Sequence, residues 1–157
     1  MARIKKTIEV GVPAHIAYEQ WTQFEEFPRF MEGVDRVVQR DDKYLDWTAT
    51  VGGQTRSWRA EIVDQTPDSR IAWKAVEGTD NAGAVLFHAL DPGRCRVELV
   101  IEAEPDGPVE TAGVAFGFLD RRVEGDLQRF KEFIEERRTP TGAWPGAIHG
   151  STVDHPR

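Results

Sequence analysis

The sequence predicts an α+β fold. In it a curved antiparallel sheet of about seven strands surrounds a long C-terminal helix, and two short helices stand between the first and second strands. Two observations support this class. Short segments between residues 34 and 104 alternate apolar and polar side chains, as half-buried strands do. Closer to the C-terminus, apolar residues recur every three or four positions, as on one face of a helix. Each pattern has one apolar face, and the two faces are buried when they pack together.

The first strand and the two short helices come at the N-terminal end. Residues 3–12 alternate in the manner of a strand, and Pro13 suits the first turn of the helix that follows. We expect that helix to end near Phe24. A second short helix is predicted from about Glu26 to Met31, because the aromatic residues in this segment share one helical face.

Six further strands are predicted between residues 34 and 104. In residues 44–51 apolar side chains, including Trp47, alternate with polar ones, and Trp58 and Trp73 occupy inward positions of the next two strands. The alternation is one-sided, so one face of the sheet is buried and the other is in water. The strands are separated by turn-forming residues: Asp41–Asp42, Gly52–Gly53, Pro67–Asp68, Gly78–Asn81 and Asp91–Gly93.

A long helix is predicted from about Val109 to Arg137. Its apolar stripe consists of Ala112, Phe116, Leu119, Val123, Leu127, Phe130 and Ile134. The first half, residues 111–119, is apolar or small on all sides. Either this half is a mobile gate, or a loop, the tail or the second protomer of a homodimer covers its back. Hydrogen exchange that slows on ligand addition favours the gate, and concentration-dependent protection favours the dimer.

The chain is predicted to form one domain, residues 1–138, followed by a tail. Residues 139–157 are rich in Pro, Gly, Ser and Thr, which predicts a flexible C-terminal tail with Trp144 and Ile148 as docking points.

Composition and motifs exclude several classes of function. The net charge of −7 at pH 7 argues against a nucleic-acid partner, which needs a cationic surface. The N-terminus has no signal-peptide core and no apolar run is long enough to span a bilayer, so we expect a cytoplasmic protein without membrane insertion. The single cysteine, Cys95, suits a reducing compartment. The histidines show no metal-ligand spacing and no phosphate-binding loop is present, so no metal and no cofactor is expected.

Four segments resemble one known superfamily. They are TIEVGVPAHIAYEQWTQFEEFPRFMEGV, RSWRAEIVDQTPDSRIAWKAVEG, NAGAVLF and VEGDLQRFKEFIEER, in that order. Together they resemble the START/birch-pollen-allergen (SRPBCC, helix-grip) superfamily, and most closely its polyketide cyclase/dehydrase and coenzyme-Q-binding-like branch. The resemblance implies a helix-grip fold. It also implies a small hydrophobic ligand, such as a lipid, an isoprenoid or quinone, or a polyketide, in a cavity between the long helix and the sheet.

The candidate cavity residues are aromatic or aliphatic. They are Trp21, Phe24, Phe27, Phe30, Met31, Trp47, Trp58, Trp73, Phe87, Phe116, Leu119 and Val123. For each of them, filling of the hydrophobic core is the alternative interpretation. Ligand pockets are mainly apolar with a few polar groups, and a buried tryptophan N–H requires an acceptor, so the three strand tryptophans also fit a cavity wall.

Polar candidates are few. Arg56 shares a face with Trp58 by alternation, so it either lies in water at the end of the sheet or points into the cavity as a catalytic or anchoring group. Asp126 falls at the edge of the apolar stripe, where we expect a structural ion pair with Arg122. Two functions follow from these residues and the resemblance. The first is a carrier or sensor of a small hydrophobic molecule. The second is an aromatase/cyclase-dehydrase that holds a poly-β-keto chain in the same cavity.

Overall fold

The computed structural model describes residues 2–51, 53–78, 81–103, 109–150 and 152–154, and only the backbone of residues 109–119. Two short helices follow the first strand, and one long helix follows the seventh. The elements are β1 (Ala2–Val10), α1 (Ala14–Trp21), a 3₁₀ helix (Phe24–Arg29), β2 (Val34–Gln39), β3 (Tyr44–Val51), β4 (Gln54–Thr66), β5 (Arg70–Gly78), β6 (Asn81–Asp91), β7 (Arg94–Ala103), α2 (Val109–Arg137), β8 (Ala147–His149) and β9 (Thr152–Asp154).

The strands form one antiparallel sheet in the order β1-β7-β6-β5-β4-β3-β2, and β8 and β9 add to it at β4. The described part of the chain thus contains nine strands, whereas the sequence predicts about seven. The two additional strands lie in the predicted tail. Pairing of β3 with β4 stops at Glu61, so the same edge of β4 is available to β8, and Gln65 pairs there with Ile148. Each added strand has three residues, too few to show the period of two that marks a strand in sequence.

The core lies between the sheet and the second half of α2. Val123, Leu127, Phe130 and Ile134 are buried there, in agreement with the predicted apolar stripe. The Phe130 ring is 5.4 Å from the Trp21 ring and 5.2 Å from the Phe30 ring, measured between centroids. These contacts pack the two short helices against α2. The bounds of α2 agree with those that the sequence predicts.

The short helices differ from the prediction in length and type. α1 ends at Trp21, and the second helix is a 3₁₀ helix that begins at Phe24 and ends at Arg29. Pro28 lies inside it. A 3₁₀ helix of this length tolerates the missing N–H of proline, because only one short i→i+3 hydrogen bond is lost. The next turn is still closed by the bond from Met31 N to the Phe27 carbonyl oxygen, 2.8 Å long.

The segment after α2 contacts the domain, and the flexibility of the predicted tail stays a prediction. Gln20 of α1 makes two hydrogen bonds to Thr141, one at 2.9 Å and one at 3.0 Å. Trp144 Nε1 donates to Asp42 Oδ1 at 3.3 Å, and Ile148 is 0% exposed. The two expected docking residues therefore do contact the domain. The boundary at residue 138 stays a prediction.

Candidate functional site

The aromatic cluster between α1 and β2 belongs to the core. Trp21, Phe24, Phe27 and Phe30 are each almost completely buried, and Met31 is nearly so. Trp21 and Phe27 pack edge to face with 5.1 Å between ring centroids, an arrangement that aromatic rings prefer. These side chains hold the short helices to the sheet. A further role of any of them in lining a ligand cavity stays a prediction.

Three tryptophans form a stacked group on the inner face of β3, β4 and β5, which we call the tryptophan group. Trp47 and Trp58 are cross-strand partners, and their rings are 5.8 Å apart at an interplanar angle of 8°. The ring of Trp73 is 6.5 Å from that of Trp47 at 22°. Trp47 is 6% exposed and Trp73 is 8% exposed, whereas Trp58 is only partly buried. The group therefore presents a flat apolar surface that ends at a partly accessible indole.

The sheet makes room for this surface with a glycine. Gly83 of β6 is the cross-strand partner of Trp73. A Cβ atom at Gly83 would lie 2.5 Å from Cζ2 of Trp73, a distance that real Cβ contacts do not reach. The indole therefore rests directly on the glycine backbone, which fixes its tilt relative to Trp47.

Two hydrogen-bond donors in the tryptophan group have no acceptor within the described protein. Nε1 of Trp47 and Nε1 of Trp58 are both buried and unpartnered, as is Nε1 of Trp21 in the aromatic cluster. A buried donor without an acceptor costs about 1–3 kcal/mol. An oxygen atom of a bound molecule would remove that cost at Trp47 and Trp58, so these two indoles can both contact and orient a ligand.

The remaining apolar candidates are spread along the core. Phe87 is buried at the other end of β6, where it packs edge-on against Tyr18 of α1 at 5.7 Å. Val123 of α2 is buried in the hydrophobic core. The side chains of Phe116 and Leu119 lie outside the described residues. A cavity between the first half of α2 and the tryptophan group involves those side chains, so its presence stays a prediction.

Arg56 lies at the end of β4 beside the tryptophan group. It pairs with Ala49 of β3 and is half-buried, two residues from Trp58 on the same face. Its Nη2 donates to Gln54 Oε1 at 2.8 Å. This position fits either of the two roles that the sequence leaves open, and a catalytic role stays a prediction.

Asp126 is held in a structural network. It is 9% exposed, and its Oδ1 accepts a hydrogen bond from Arg129 and another from the backbone N–H of Glu32 at 3.1 Å. Arg129 is thus a close ion-pair partner that the sequence did not predict, and the charge of Arg122, the predicted partner, also favours ionised Asp126. Burial raises the pKa of Asp126, and the hydrogen bonds from Arg129 and Glu32 oppose that rise.

Neither Cys95 nor any cluster of His, Cys, Asp and Glu side chains in the described residues offers a reactive thiolate or a metal site. Cys95 is fully buried, and burial raises its pKa to about 11, so the thiolate needed for nucleophilic attack is not formed at neutral pH. No group of three or more His, Cys, Asp or Glu side chains there comes close enough to hold a metal ion. The helices within the described ranges are all too short or too polar to cross a bilayer.

Two surface clefts flank α2, and sequence reasoning did not anticipate either. One, of about 370 Å³, lies against β1 and includes Lys6 and Leu127. The other, of about 290 Å³, lies against the turn before β2 and is lined by Glu32, Arg121, Arg122, Gly125 and Arg129. We call the second one the arginine cleft. The arginines are spaced one and seven residues apart, a helical spacing that in sequence looks like an ordinary solvated face.

The chain resembles known proteins along most of its length. A sequence profile of the family described as polyketide cyclase/dehydrase and lipid transport matches residues 10–132. A protein of Streptomyces lincolnensis, described as "Uncharacterized 17.2 kDa protein in melC2-rnhH intergenic region", is 48% identical over 149 residues, which cover 94% of this chain and 99% of the relative.

Two solved structures share the fold. The Zhui aromatase/cyclase from Streptomyces sp. R1128 is 16% identical with a TM-score of 0.74, covering 90% of this chain and 98% of its own. A START superfamily protein from Mycobacterium smegmatis is 17% identical with a TM-score of 0.67, covering 86% of this chain and 95% of its own. These structures show that the chain has the START-like fold, and the family match over most of its length shows that it belongs to the polyketide cyclase/dehydrase and lipid transport family.

Proposed function

We propose that this protein is a carrier or sensor that binds a small, largely apolar and flat molecule between the first half of α2 and the tryptophan group. The observation that carries the proposal is the pair of buried, unpartnered indole donors, Nε1 of Trp47 and Nε1 of Trp58, within a stacked aromatic surface.

Between the first half of α2 and the tryptophan group, the free energy of binding would come chiefly from the apolar area that the ligand buries. At about 25 cal/mol per Å² removed from water, a two-ring molecule that buries about 200 Å² gains about 5 kcal/mol before the cost of association. Offset stacking on Trp47 or Trp58 adds about 0.5–1.5 kcal/mol. The indole N–H groups would orient the molecule by its oxygen atoms, since each favours a ligand with an acceptor over one without.

The test uses a matched pair of ligands and a matched set of variants. 1,4-Naphthoquinone has two carbonyl acceptors on a flat ring system, and naphthalene has the ring system alone. Trp47→Phe and Trp58→Phe keep an aromatic ring and remove the N–H donor. Trp144→Phe, at a site in the segment after α2, is the control. Affinities are measured by isothermal titration calorimetry.

We expect the quinone to bind the wild-type protein more tightly than naphthalene does, and each of the two substitutions to weaken quinone binding by about five- to tenfold with little change for naphthalene. The control should bind as the wild type does. The absence of binding of either ligand to the wild type would overturn the proposal. If the variants lost affinity equally for naphthoquinone and for naphthalene, the indole N–H groups would not orient the ligand.

The second candidate function is an aromatase/cyclase-dehydrase acting on a poly-β-keto chain. The family description and the similarity in fold to the Zhui aromatase/cyclase support it, as does the half-buried Arg56 beside the tryptophan group. A guanidinium there would stabilise a developing enolate. If this function holds, Arg56→Gln should lower turnover of such a substrate while leaving naphthoquinone binding intact. Turnover equal to that of the wild type would exclude Arg56 as the catalytic group.

A further inference from the structure

The polar groups beside the tryptophan group, on the inner face of β3 and β4, are hydrogen-bond donors. Nε1 of Trp47 and Nε1 of Trp58 are buried, and neither has an acceptor within the described protein. Arg56, two residues from Trp58 on the same face, adds N–H groups only, because a guanidinium has no acceptor atom. Gln54 Oε1 lies further along this face and accepts from Arg56 Nη2 at 2.8 Å. A ligand oxygen beside the tryptophan group therefore meets donors.

The side chains around these donors have no acceptor atoms. The β6 position beside Trp73 is Gly83, which has no side chain. The backbone carbonyl groups of β3 lie in the sheet ladder, which pairs residues 44–51 with residues 54–61. The positions of β3, β4 and β5 that alternate with the tryptophans are aliphatic: Leu45, Ala49, Ala60, Ile62, Ile71 and Ala75. These neighbours add apolar surface and no hydrogen-bond acceptor.

The hydroxyl groups of the same two strands are on the opposite face of the sheet. Thr48 Oγ1 is 3.5 Å from Ser57 Oγ, and Thr50 Oγ1 is 3.1 Å from Thr55 Oγ1. Thr50 Oγ1 also donates to Asp35 Oδ2 at 2.7 Å. Because successive side chains of a strand point to opposite faces, these hydroxyl groups do not reach a molecule beside the tryptophan group. β3 and β4 thus keep their hydroxyl acceptors away from their buried donors.

The tryptophan group has no room for a further ring between its members. Trp47 and Trp58 are nearly parallel, with 5.8 Å between their centroids. A ring inserted between them would need about 7 Å, which is two carbon contacts of about 3.5 Å each. A flat ligand therefore lies against the outside of the stack. Trp58 is its accessible member, since it is only partly buried whereas Trp47 and Trp73 are buried.

From this set of groups we infer that the tryptophan group selects the oxidised, carbonyl form of its ligand, a quinone or a ketone, over the reduced, hydroxylated form. This inference rests on the proposed function and specifies the oxidation state of the ligand. A carbonyl oxygen only accepts hydrogen bonds, so it suits the indole N–H groups. A hydroxyl group also brings an O–H donor. Among donors and aliphatic side chains, that O–H group loses its hydrogen bond to water without a replacement.

Ring stacking favours the same form of the ligand. The face of an indole ring carries a negative electrostatic potential. A quinone ring is electron-poor because its two carbonyl groups withdraw electrons, whereas a hydroquinone ring is electron-rich. Contact with the face of Trp58 therefore also favours the quinone.

The test compares the two oxidation states of one molecule. 1,4-Naphthoquinone and 1,4-dihydroxynaphthalene have the same two rings and differ by two electrons and two protons. Both are titrated into the wild type by calorimetry in the absence of oxygen, and we expect the quinone to bind about tenfold more tightly. A tenfold preference lowers the two-electron midpoint potential of the bound quinone by about 30 mV. Electrochemical titration measures that shift on the wild type, without any variant.

Variants at Trp58 test whether this residue sets the selectivity. At pH 8 histidine is neutral, so Trp58→His supplies one donor and one acceptor, and Trp58→Phe supplies neither. We expect 1,4-dihydroxynaphthalene to bind Trp58→His about three- to tenfold more tightly than it binds Trp58→Phe, because its O–H group finds an acceptor. The ligand is the same in both titrations, so its hydration cancels. Trp144→His, in the segment after α2, is the control and should keep the wild-type affinity for both forms.

The outcomes separate this inference from the proposed function. Equal affinities of the two forms for the wild type, or a midpoint potential equal to that of the free quinone, would overturn the inference and leave the proposed function standing. Failure of both forms to bind would overturn the two together. Equal affinities of Trp58→His and Trp58→Phe for 1,4-dihydroxynaphthalene would show that Trp58 does not meet the ligand oxygen, which also contradicts the inference.

Discussion

Gln20 of α1 holds Thr141 through both ends of its side-chain amide. Its Oε1 accepts from Thr141 N at 2.9 Å, and its Nε2 donates to Thr141 Oγ1 at 3.0 Å. The glutamine is 0% exposed, although the two residues are 121 positions apart in the chain. This contact fixes the segment after α2 against the helix that also carries Trp21.

The first prediction concerns this contact. Gln20→Ala removes two hydrogen bonds, leaves the Thr141 N–H unpartnered and opens a small cavity, so we expect the free energy of unfolding to fall by about 2–4 kcal/mol. Urea denaturation measures the change. Gln128→Ala, at an exposed position of α2, is the matched control and should change stability by less than about 0.5 kcal/mol. A loss at Gln20 no larger than that of the control would show that the contact between Gln20 and Thr141 adds no stability.

The second prediction concerns the glycine under Trp73. Gly83→Ala forces the indole off its position, because the new Cβ would lie 2.5 Å from Cζ2, and we expect a loss of about 1–3 kcal/mol together with an altered near-ultraviolet circular dichroism spectrum. Gly93→Ala is the control, since the nearest atom to a Cβ there, Asp91 Oδ1, is 3.8 Å away. An unchanged spectrum for Gly83→Ala would mean that Trp73 is not fixed by this contact.

The third prediction is a pH dependence at His15. This histidine joins α1 to the turn between β4 and β5 through a contact of 2.7 Å from Nδ1 to Asp68 Oδ1, and it also contacts Glu19. The hydrogen bond to Asp68 raises the pKa of His15 above its usual value. The protonated form is therefore favoured in the folded protein. Its contribution to stability is fully present below the unfolded pKa of about 6.5 and is lost as the pH rises through the folded pKa.

The measurement is the difference in the free energy of unfolding between the wild type and His15→Gln. It runs from below the unfolded pKa of about 6.5 to alkaline pH. We expect the difference to be largest on the acidic side and to disappear at alkaline pH. Asp68→Asn should remove most of the pH dependence while His15 is still present, since Asp68 is the main cause of the raised pKa. If the difference in the free energy of unfolding grew with increasing pH, it would contradict the stabilisation of the fold by protonated His15.

The fourth prediction compares two phenylalanines of α2. Phe130 is fully buried between Trp21 and Phe30, so Phe130→Ala should lower the free energy of unfolding by about 3–5 kcal/mol. Phe133 is only partly buried, and the guanidinium of Arg29 lies 5.0 Å from its ring centroid. Phe133→Ala should cost about 1–2 kcal/mol. Similar losses of stability at the two positions would contradict the difference in burial between Phe130 and Phe133.

The sequence predicts the elements whose pattern is long. The stripe that ends at Ile134 repeats over many turns, so the bounds of α2 agree with the structure, and the alternating segments after residue 34 are found as strands. β8 and β9 were not predicted, because three residues show no period and because Ile148 is buried through contacts with residues far away in the chain. A local sequence pattern does not reveal contacts between residues that are far apart in the chain.

The arrangement of the tryptophan group was predictable to a similar extent, and its role as a site stays a prediction. Alternation alone puts Trp47, Trp58 and Trp73 on one face of their strands, and the structure brings their rings together. The arginine cleft was not predictable, since it depends on where Gly33 and Glu32 lie relative to α2, and nothing local in either segment indicates that juxtaposition. The contact of Asp126 with the Glu32 backbone N–H was not predictable for the same reason.

The stacking of Trp47 on Trp58 also has a spectroscopic consequence. Two nearly parallel indoles 5.8 Å apart share their electronic excitation, so their absorption transitions couple and give a paired, oppositely signed far-ultraviolet dichroism band. The intensity of that band depends on the angle between the two transition dipoles, which lie within the planes of the rings. The protein thus has an intrinsic spectroscopic reporter of how these two indoles are oriented, readable without any added dye.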